Sequence, residues 1–258
     1  MDKSLYPMIF KRKSFHKFPG KLSISNSELS EIEQYLKTLV PLQEGIRTAF
    51  KIVPRSETSC KTGEYCILFY SEKSDYYLYN MGYMIEQLDL WLASKDIGAC
   101  WLGLGRTKEK NFDGLDYVIM LGIEKVEATD FRKDFSLTKR KAIDEVLEGD
   151  ASETVRQIAD VARYAPSAFN TQPWRIRSTP ECLNIYRVLG KRGIMSLLKV
   201  PFYNKIDVGI FMLFTELCLK HENISFHRTL LSDSSQGKEN HVASYRLNFS
   251  PSDEKASK

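Results

Sequence analysis

The chain has 258 residues, 43% of them apolar and 12% aromatic, enough for one large core or two small ones. A formal net charge of +4 with no long basic block sets nucleic-acid binding aside, and the longest apolar run, 208–214, is far too short to cross a bilayer. Cysteines at 60, 66, 100, 182 and 218 and histidines at 16, 221, 227 and 241 make no CxxC or HExxH spacing, so no metal site is expected. The odd cysteine count suits a reducing compartment, and the first thirty residues hold no apolar leader, so a cytoplasmic location is expected.

In chain order, an apolar lead-in at 5–10 runs into Lys11, Arg12, Lys13, Ser14, Phe15, His16, Lys17 and Phe18. A helix end turning here would bury the two rings and leave the basic groups outside. Arginine offers a planar donor fork for phosphate oxygens, lysine a point charge and serine a hydroxyl, while a plain solvated basic face is the alternative. Ser25 with Glu28 predicts a capping box opening a helix through Leu29, Ile32, Tyr35, Leu36, Leu39 and Val40, which Pro41 ends. Strands are predicted at 49–53 and 65–70, then a long helix over 75–97 with Leu78, Met81, Met84, Ile85, Leu88, Trp91 and Leu92 on one side, closed by Gly98. Residues 99–106 carry Gly103 and Gly105, which lack the strand–turn–helix setting of a dinucleotide fingerprint but would let backbone approach a flat ring. A strand at 116–123, a loop at 124–137 and the basic segment Lys139, Arg140, Lys141 follow.

The second half opens on a capping box, Asp150 with Glu153, and a helix through Val155, Ile158, Ala159, Ala162 and Tyr164. It ends at Ala165, Pro166, Ser167, Ala168, Phe169, Asn170, Thr171, Gln172, Pro173, Trp174. Two prolines restrict this turn at either end, and between them stand polar groups able to hold the rim of a flat ligand or merely to cap the turn. A hairpin is predicted from 175–178 and 183–188, a short basic and apolar stretch at 190–200, a helix at 205–224, a polar connection at 232–239, a strand at 242–249 and a flexible tail at 251–258.

The two halves echo each other. Pro41 and Pro166 lie 125 apart, each fourteen residues after a Ser-Glu pair, and Gly82 and Gly209 lie 127 apart on the two long helices. The strands at 116–123 and 242–249 match at a similar offset, so the chain reads as one unit duplicated and fused. The copies differ: where the second has Ser167, Asn170 and Gln172, the first has Leu42, Gly45 and Arg47, and the second lacks a basic run like 12–18.

The stretch 165–174 resembles the second signature of the nitroreductase family of FMN-dependent flavoproteins, and Arg12, Lys13, Ser14, His16 and Phe18 resemble its first. The departures are Lys13, His16 and Ala142, the last replacing a proline in a segment similar to the family's closing Arg-Lys-Pro run. The resemblance implies an α+β fold of two nitroreductase-like sandwich repeats fused as an intramolecular pseudodimer, with halves at 1–148 and 149–250. It implies FMN held by Arg12, Lys13, Ser14, His16, Leu102, Gly103, Lys139, Arg140, Pro166, Ser167, Asn170 and Gln172, with His16 beside the flavin N1/O2 edge and 190–200 as a lid. The implied activity passes hydride from NADH or NADPH through FMN to a nitroaromatic, quinone or similar small electron-poor acceptor. The flavin would carry the chemistry and no catalytic side chain is needed. A monomer would suffice for one site, and a dimer is compatible with it. A non-catalytic flavin carrier or sensor, and an FMN-free pseudoenzyme, are the alternatives.

Overall fold

The computed structural model describes residues 3–190, 200–233 and 238–248. The chain divides into two compact units, Lys3–Leu137 and Thr138–Lys258. Residues 138–148 thus go with the second unit, because strand β6 (Leu147–Gly149) pairs in parallel with β7 (Trp174–Ser178). The expected lid at 190–200 falls almost wholly, and the expected tail entirely, outside the described residues.

The first unit contains α1 (Met8–Lys11), α2 (Asn26–Leu36), β1 (Thr48–Pro54), β2 (Tyr65–Ser71), α3 (Tyr77–Ser94), β3 (Ile97–Leu102), β4 (Asn111–Phe112) and β5 (Leu115–Lys125). Its sheet runs β1-β2-β5-β3, antiparallel throughout, with β4 hairpinned onto β5. The Ser25–Glu28 capping box forms as predicted: Ser25 Oγ accepts the Glu28 N–H and Glu28 Oε2 accepts the Ser25 N–H. Lys125 packs its ammonium against the same carboxylate, and hydrogen bonds to it and to Ser25 outweigh a desolvation cost, holding Glu28 down at about 2. The helix stops at Leu36, four residues short of the expected end, and Gln87 of α3 binds both the N–H and the C=O of Val40 instead.

Helix α3 packs against β2 and β3 and against α1 and α2. It is buried along nearly its whole length rather than on one stripe, and its polar residues are used inside. Gly98 does not close it: the turn is made by Asp96 at φ 54°, and Gly98 lies in β3. A Cβ on Gly98 would come within 2.9 Å of the Phe15 ring, so this glycine is a packing requirement. Phe15 is fixed by a stacked contact to Phe18 and an edge contact to Phe131 and has little room to retreat. Gly98→Ala should therefore cost about 1–3 kcal/mol, the usual range for overpacking, read as a lower denaturation midpoint at unchanged m-value.

The second unit contains β6, α4 (Glu153–Ala162), β7, β8 (Cys182–Val188), α5 (Val200–His221), β9 (Ser225–Leu230) and β10 (Glu239–Asn248). Its sheet runs β6-β7-β8-β10-β9. The predicted hairpin is β7–β8, and every second residue of β8 is buried, as a half-buried strand requires. The N-cap of α4 is Ser152, whose Oγ accepts the Val155 N–H, and not Asp150. Asp150 instead sits one residue later than Gly149, whose φ of 94° lets the chain turn against Ser178. Strand β9 is not foreseen by the residue pattern, because Ser225 to Leu230 mixes polar and apolar side chains at a sheet edge with none fully buried.

The duplication is visible in the topology. Leaving out α1, β4 and β6, each unit runs helix, two paired strands, long helix, two strands. The strand order β1-β2-β5-β3 of the first is repeated as β7-β8-β10-β9 in the second.

Candidate functional site

In the first unit the basic run leaves α1 and docks beside β3. Arg12 closes the helix, its N–H bonded to the Met8 carbonyl, and Phe15 N–H donates to Ala99 O at 3.0 Å with Ser14 bridged to Ala99. Phe15 is buried, while Lys13 and Ser14 are half-buried and His16 is exposed. This is the rings-in arrangement expected for the run. His16 Nδ1 lies 3.7 Å from Cys100 Sγ on β3. Burial, followed by the charge of Asp89, pushes the Cys100 thiol up to about 11, so it is not a nucleophile near neutral pH. Leu102 ends β3 half-buried, and Gly103 follows it exposed.

Arg12 goes the other way. Its side chain is only 3% exposed and turns onto α3, where Nη2 meets Asp89 Oδ2 at 2.9 Å and Nε lies 3.5 Å from Glu86 Oε1. The indole N–H of Trp101 donates to both carboxylates, at 3.2 Å to Glu86 and 3.1 Å to Asp89. Burial opposes the guanidinium charge, but Asp89 and then Glu86 outweigh it and hold Arg12 more firmly protonated than usual. Arg12, expected among the FMN-holding residues, thus has two buried carboxylates at the donor fork that a phosphate would need. Glu86 and Asp89 are one helical turn apart on α3, a spacing easily missed among its apolar neighbours. Arg12 also reaches Ser14 Oγ at 3.3 Å, which orients that hydroxyl.

In the second unit the structure brings together the expected residues of 139–172. Pro166 is buried where the α4 segment ends, and the loop that follows is held in an unusual conformation. Phe169, Asn170 and Gln172 have φ of 53°, 55° and 49°, left-handed values that non-glycine residues seldom adopt. Strain of this kind persists only where surroundings over-determine it, and it gathers at ligand sites. Here the surroundings are the basic segment. Arg140 Nη1 donates to Asn170 Oδ1 at 3.0 Å and its Nη2 to Tyr164 O at 3.0 Å, while Asn170 Nδ2 donates to Lys139 O at 3.1 Å. The Lys141 N–H donates to Gln172 Oε1 and its ammonium to Gln172 O, both at 2.8 Å. Burial, then the charge of Arg175, holds the Lys141 ammonium below its ordinary value. Ser167 Oγ accepts the Gln172 N–H at 2.9 Å, leaving its own hydrogen to donate.

The amides of Asn170 and Gln172 thus act as fasteners between loop and basic segment. The loop's exposed ring is Phe169; Ser167 is half-buried, and Lys139, whose carbonyl accepts from Asn170, is exposed. Behind the loop lies a residue the sequence reading misses, Asp207 of α5. It is buried, and its Oδ1 accepts the Ala168 N–H at 3.0 Å. The available signal was an acid at the edge of the apolar run 208–214. Among the described residues no group of three or more metal-ligating side chains forms, and no helix is long and apolar enough to cross a membrane.

A family model described as "Putative TM nitroreductase" matches residues 4–218. Among solved structures, a protein from Thermotoga maritima described as a putative nitroreductase is similar at a TM-score of 0.62 and 20% identity, covering 94% of this chain and 92% of its own. A nitroreductase family protein from Clostridium novyi is similar at a TM-score of 0.39 and 18% identity, over 52% of this chain and 90% of its own. No curated protein matches the chain. The match over most of the length, on a mixed α+β fold of two sheets, identifies this chain as a member of that TM nitroreductase family.

Proposed function

We propose that the protein is an FMN-dependent oxidoreductase that takes hydride from NADH or NADPH and reduces a nitroaromatic, quinone or similar electron-poor small molecule. The observation that carries this reading is the left-handed run Phe169–Asn170–Gln172, fastened to the basic segment 139–141. A loop held against its own preference, with a hydroxyl and cations at its rim, suits a ligand that is flat and anionic at one end.

The chemistry of the donor set fits FMN. Lys139 and the Ser167 hydroxyl would hold it. Asn170 and Gln172 would act one step removed, by holding the segments that carry those groups. The bound flavin supplies two-electron transfer. The protein supplies binding, orientation and charge: the Lys139 ammonium would favour negative charge on the neighbouring edge, as an oriented cation does.

The second reading is an FMN-free member of the family, and it is favoured by the withdrawal of Arg12 onto Glu86 and Asp89. The visible absorption of the purified protein mixed with FMN and desalted, before and after NADPH or NADH, decides between them. Retained yellow colour that bleaches on adding reductant supports the enzyme. Retained colour that does not bleach makes it a flavin carrier, and a colourless protein makes it FMN-free.

A further inference from the structure

The loop 167–172 has a latch, and the two repeats carry different versions of it. In the first unit Asn80 of α3 accepts the N–H groups of Leu42 and Gln43 on its Oδ1, at 2.7 and 3.3 Å, in the turn after Pro41. In the second, Asp207 of α5 accepts the Ala168 N–H at 3.0 Å in the turn after Pro166. The positions correspond: Asn80 and Asp207 differ by 127, the same offset as Gly82 and Gly209, and Gln43 and Ala168 by 125, the same as Pro41 and Pro166. Both side chains are buried, and in both the second terminal atom, Asn80 Nδ2 and Asp207 Oδ2, has no hydrogen-bond partner in the structure. The repeat therefore needs one acceptor at this place and tolerates one idle polar atom beside it. The first copy supplies an amide, which cannot ionise. The second, under the candidate site, supplies an acid.

We propose that Asp207 is the positioning residue of the 167–172 loop, a neutral carboxyl latch that holds the Ala168 N–H and releases the loop when it ionises. A buried carboxylate with one idle oxygen would have to find water or a cation, and among the described residues no ion pair reaches Asp207. The arginines around α5, and Lys205 on it, pair with other carboxylates: Arg156 of α4 with Asp144, Arg163 with Asp160, Arg187 of β8 and Lys205 with Asp233, and Arg228 of β9 with Glu216. Tyr203, one turn earlier on α5, is a buried phenol that burial keeps neutral. Burial pushes the Asp207 carboxyl up to about 8, with the Ala168 N–H pulling weakly the other way. Opening the latch would free Ala168 and loosen the strained run beside it, withdrawing the Ser167 hydroxyl from the flavin. That last step rests on the function proposed above; the latch itself does not.

The test is amide hydrogen exchange of peptides covering 165–174, corrected for intrinsic rates, at pH 6.5 and pH 9, in the wild type, Asp207→Asn and Asp207→Leu. The expected result is a loss of loop protection of about tenfold or more in the wild type on going to pH 9. Asp207→Asn, which reproduces Asn80, should keep its protection at both pH values, and Asp207→Leu should lack it at both. If Asp207→Asn loses protection with pH as the wild type does, or is as open as Asp207→Leu at pH 6.5, the latch is overturned. Should Asp207→Leu fail to fold, the wild type against Asp207→Asn decides alone. FMN fluorescence quenching on the same proteins separates the two ideas: no FMN uptake by the wild type at pH 6.5 sinks the flavin reading and leaves the latch to the exchange data.

Discussion

Replacing Arg12 by leucine should destabilise the protein by about 3–5 kcal/mol, the range for removing one member of a buried ion-paired group. The reason lies in what stays behind. Glu86 and Asp89 are buried on α3, and losing the guanidinium removes the positive charge that lies against both, while the Trp101 N–H they also bind is neutral. Adding Glu86→Gln and Asp89→Asn to the leucine variant should recover a large part of the loss, since neutral amides can still accept from Trp101 and no longer bury charge. Urea unfolding of the single and triple variants measures both. A stable Arg12→Leu variant that loses only FMN affinity would instead make Arg12 a ligand and not a partner of the core.

The second large effect is a dependence on pH. The folded protein holds the Asp207 carboxyl at about 8, whereas an unfolded aspartate titrates near an ordinary value of 3.8. Between these values the folded state binds a proton that the unfolded state has lost, so stability from this group is full below about pH 4 and falls as pH rises toward 8. Asp207→Asn has no such slope. The variant should match the wild type near pH 4 and exceed it by on the order of a few kcal/mol at pH 8, a rare case of a buried acid whose removal stabilises. Thermal or urea midpoints across that range check it. Parallel curves for the two proteins would mean that Asp207 does not carry a proton in the fold.

Much of the architecture could be read from residue order alone. The Ser25–Glu28 cap, the strands around 49–53 and 65–70, the β7–β8 hairpin and the long helices follow from capping chemistry and apolar period. So did the duplication, which rested on the spacing of Pro41 and Pro166 and now shows in matching strand orders. What stayed hidden depends on direction rather than identity. A basic run reads as surface, and nothing in its own letters says that Arg12 turns inward, because its partners stand on a helix more than seventy residues away. Gly98 reads as a helix stop, yet it is small because a ring from residue 15 lies over it. Asn170 and Gln172 read as ligand-facing amides, but their hydrogen bonds go to the segment at 139–141. Asp207 is legible only once the two copies are laid over each other, where it stands in the place of an asparagine.

The account's central claim is the proposal that the strained loop 167–172 and the basic segment 139–141 of the second unit hold a flavin. Titration of FMN, followed by flavin fluorescence, into the wild type and Lys139→Gln at low salt tests it most directly. Lys139 is expected to contribute a charge-assisted contact, so the variant should bind FMN about tenfold or more weakly while unfolding at the wild-type midpoint. Unchanged affinity in Lys139→Gln would contradict a site at this segment, and a wild type that leaves FMN fluorescence untouched would contradict the site altogether.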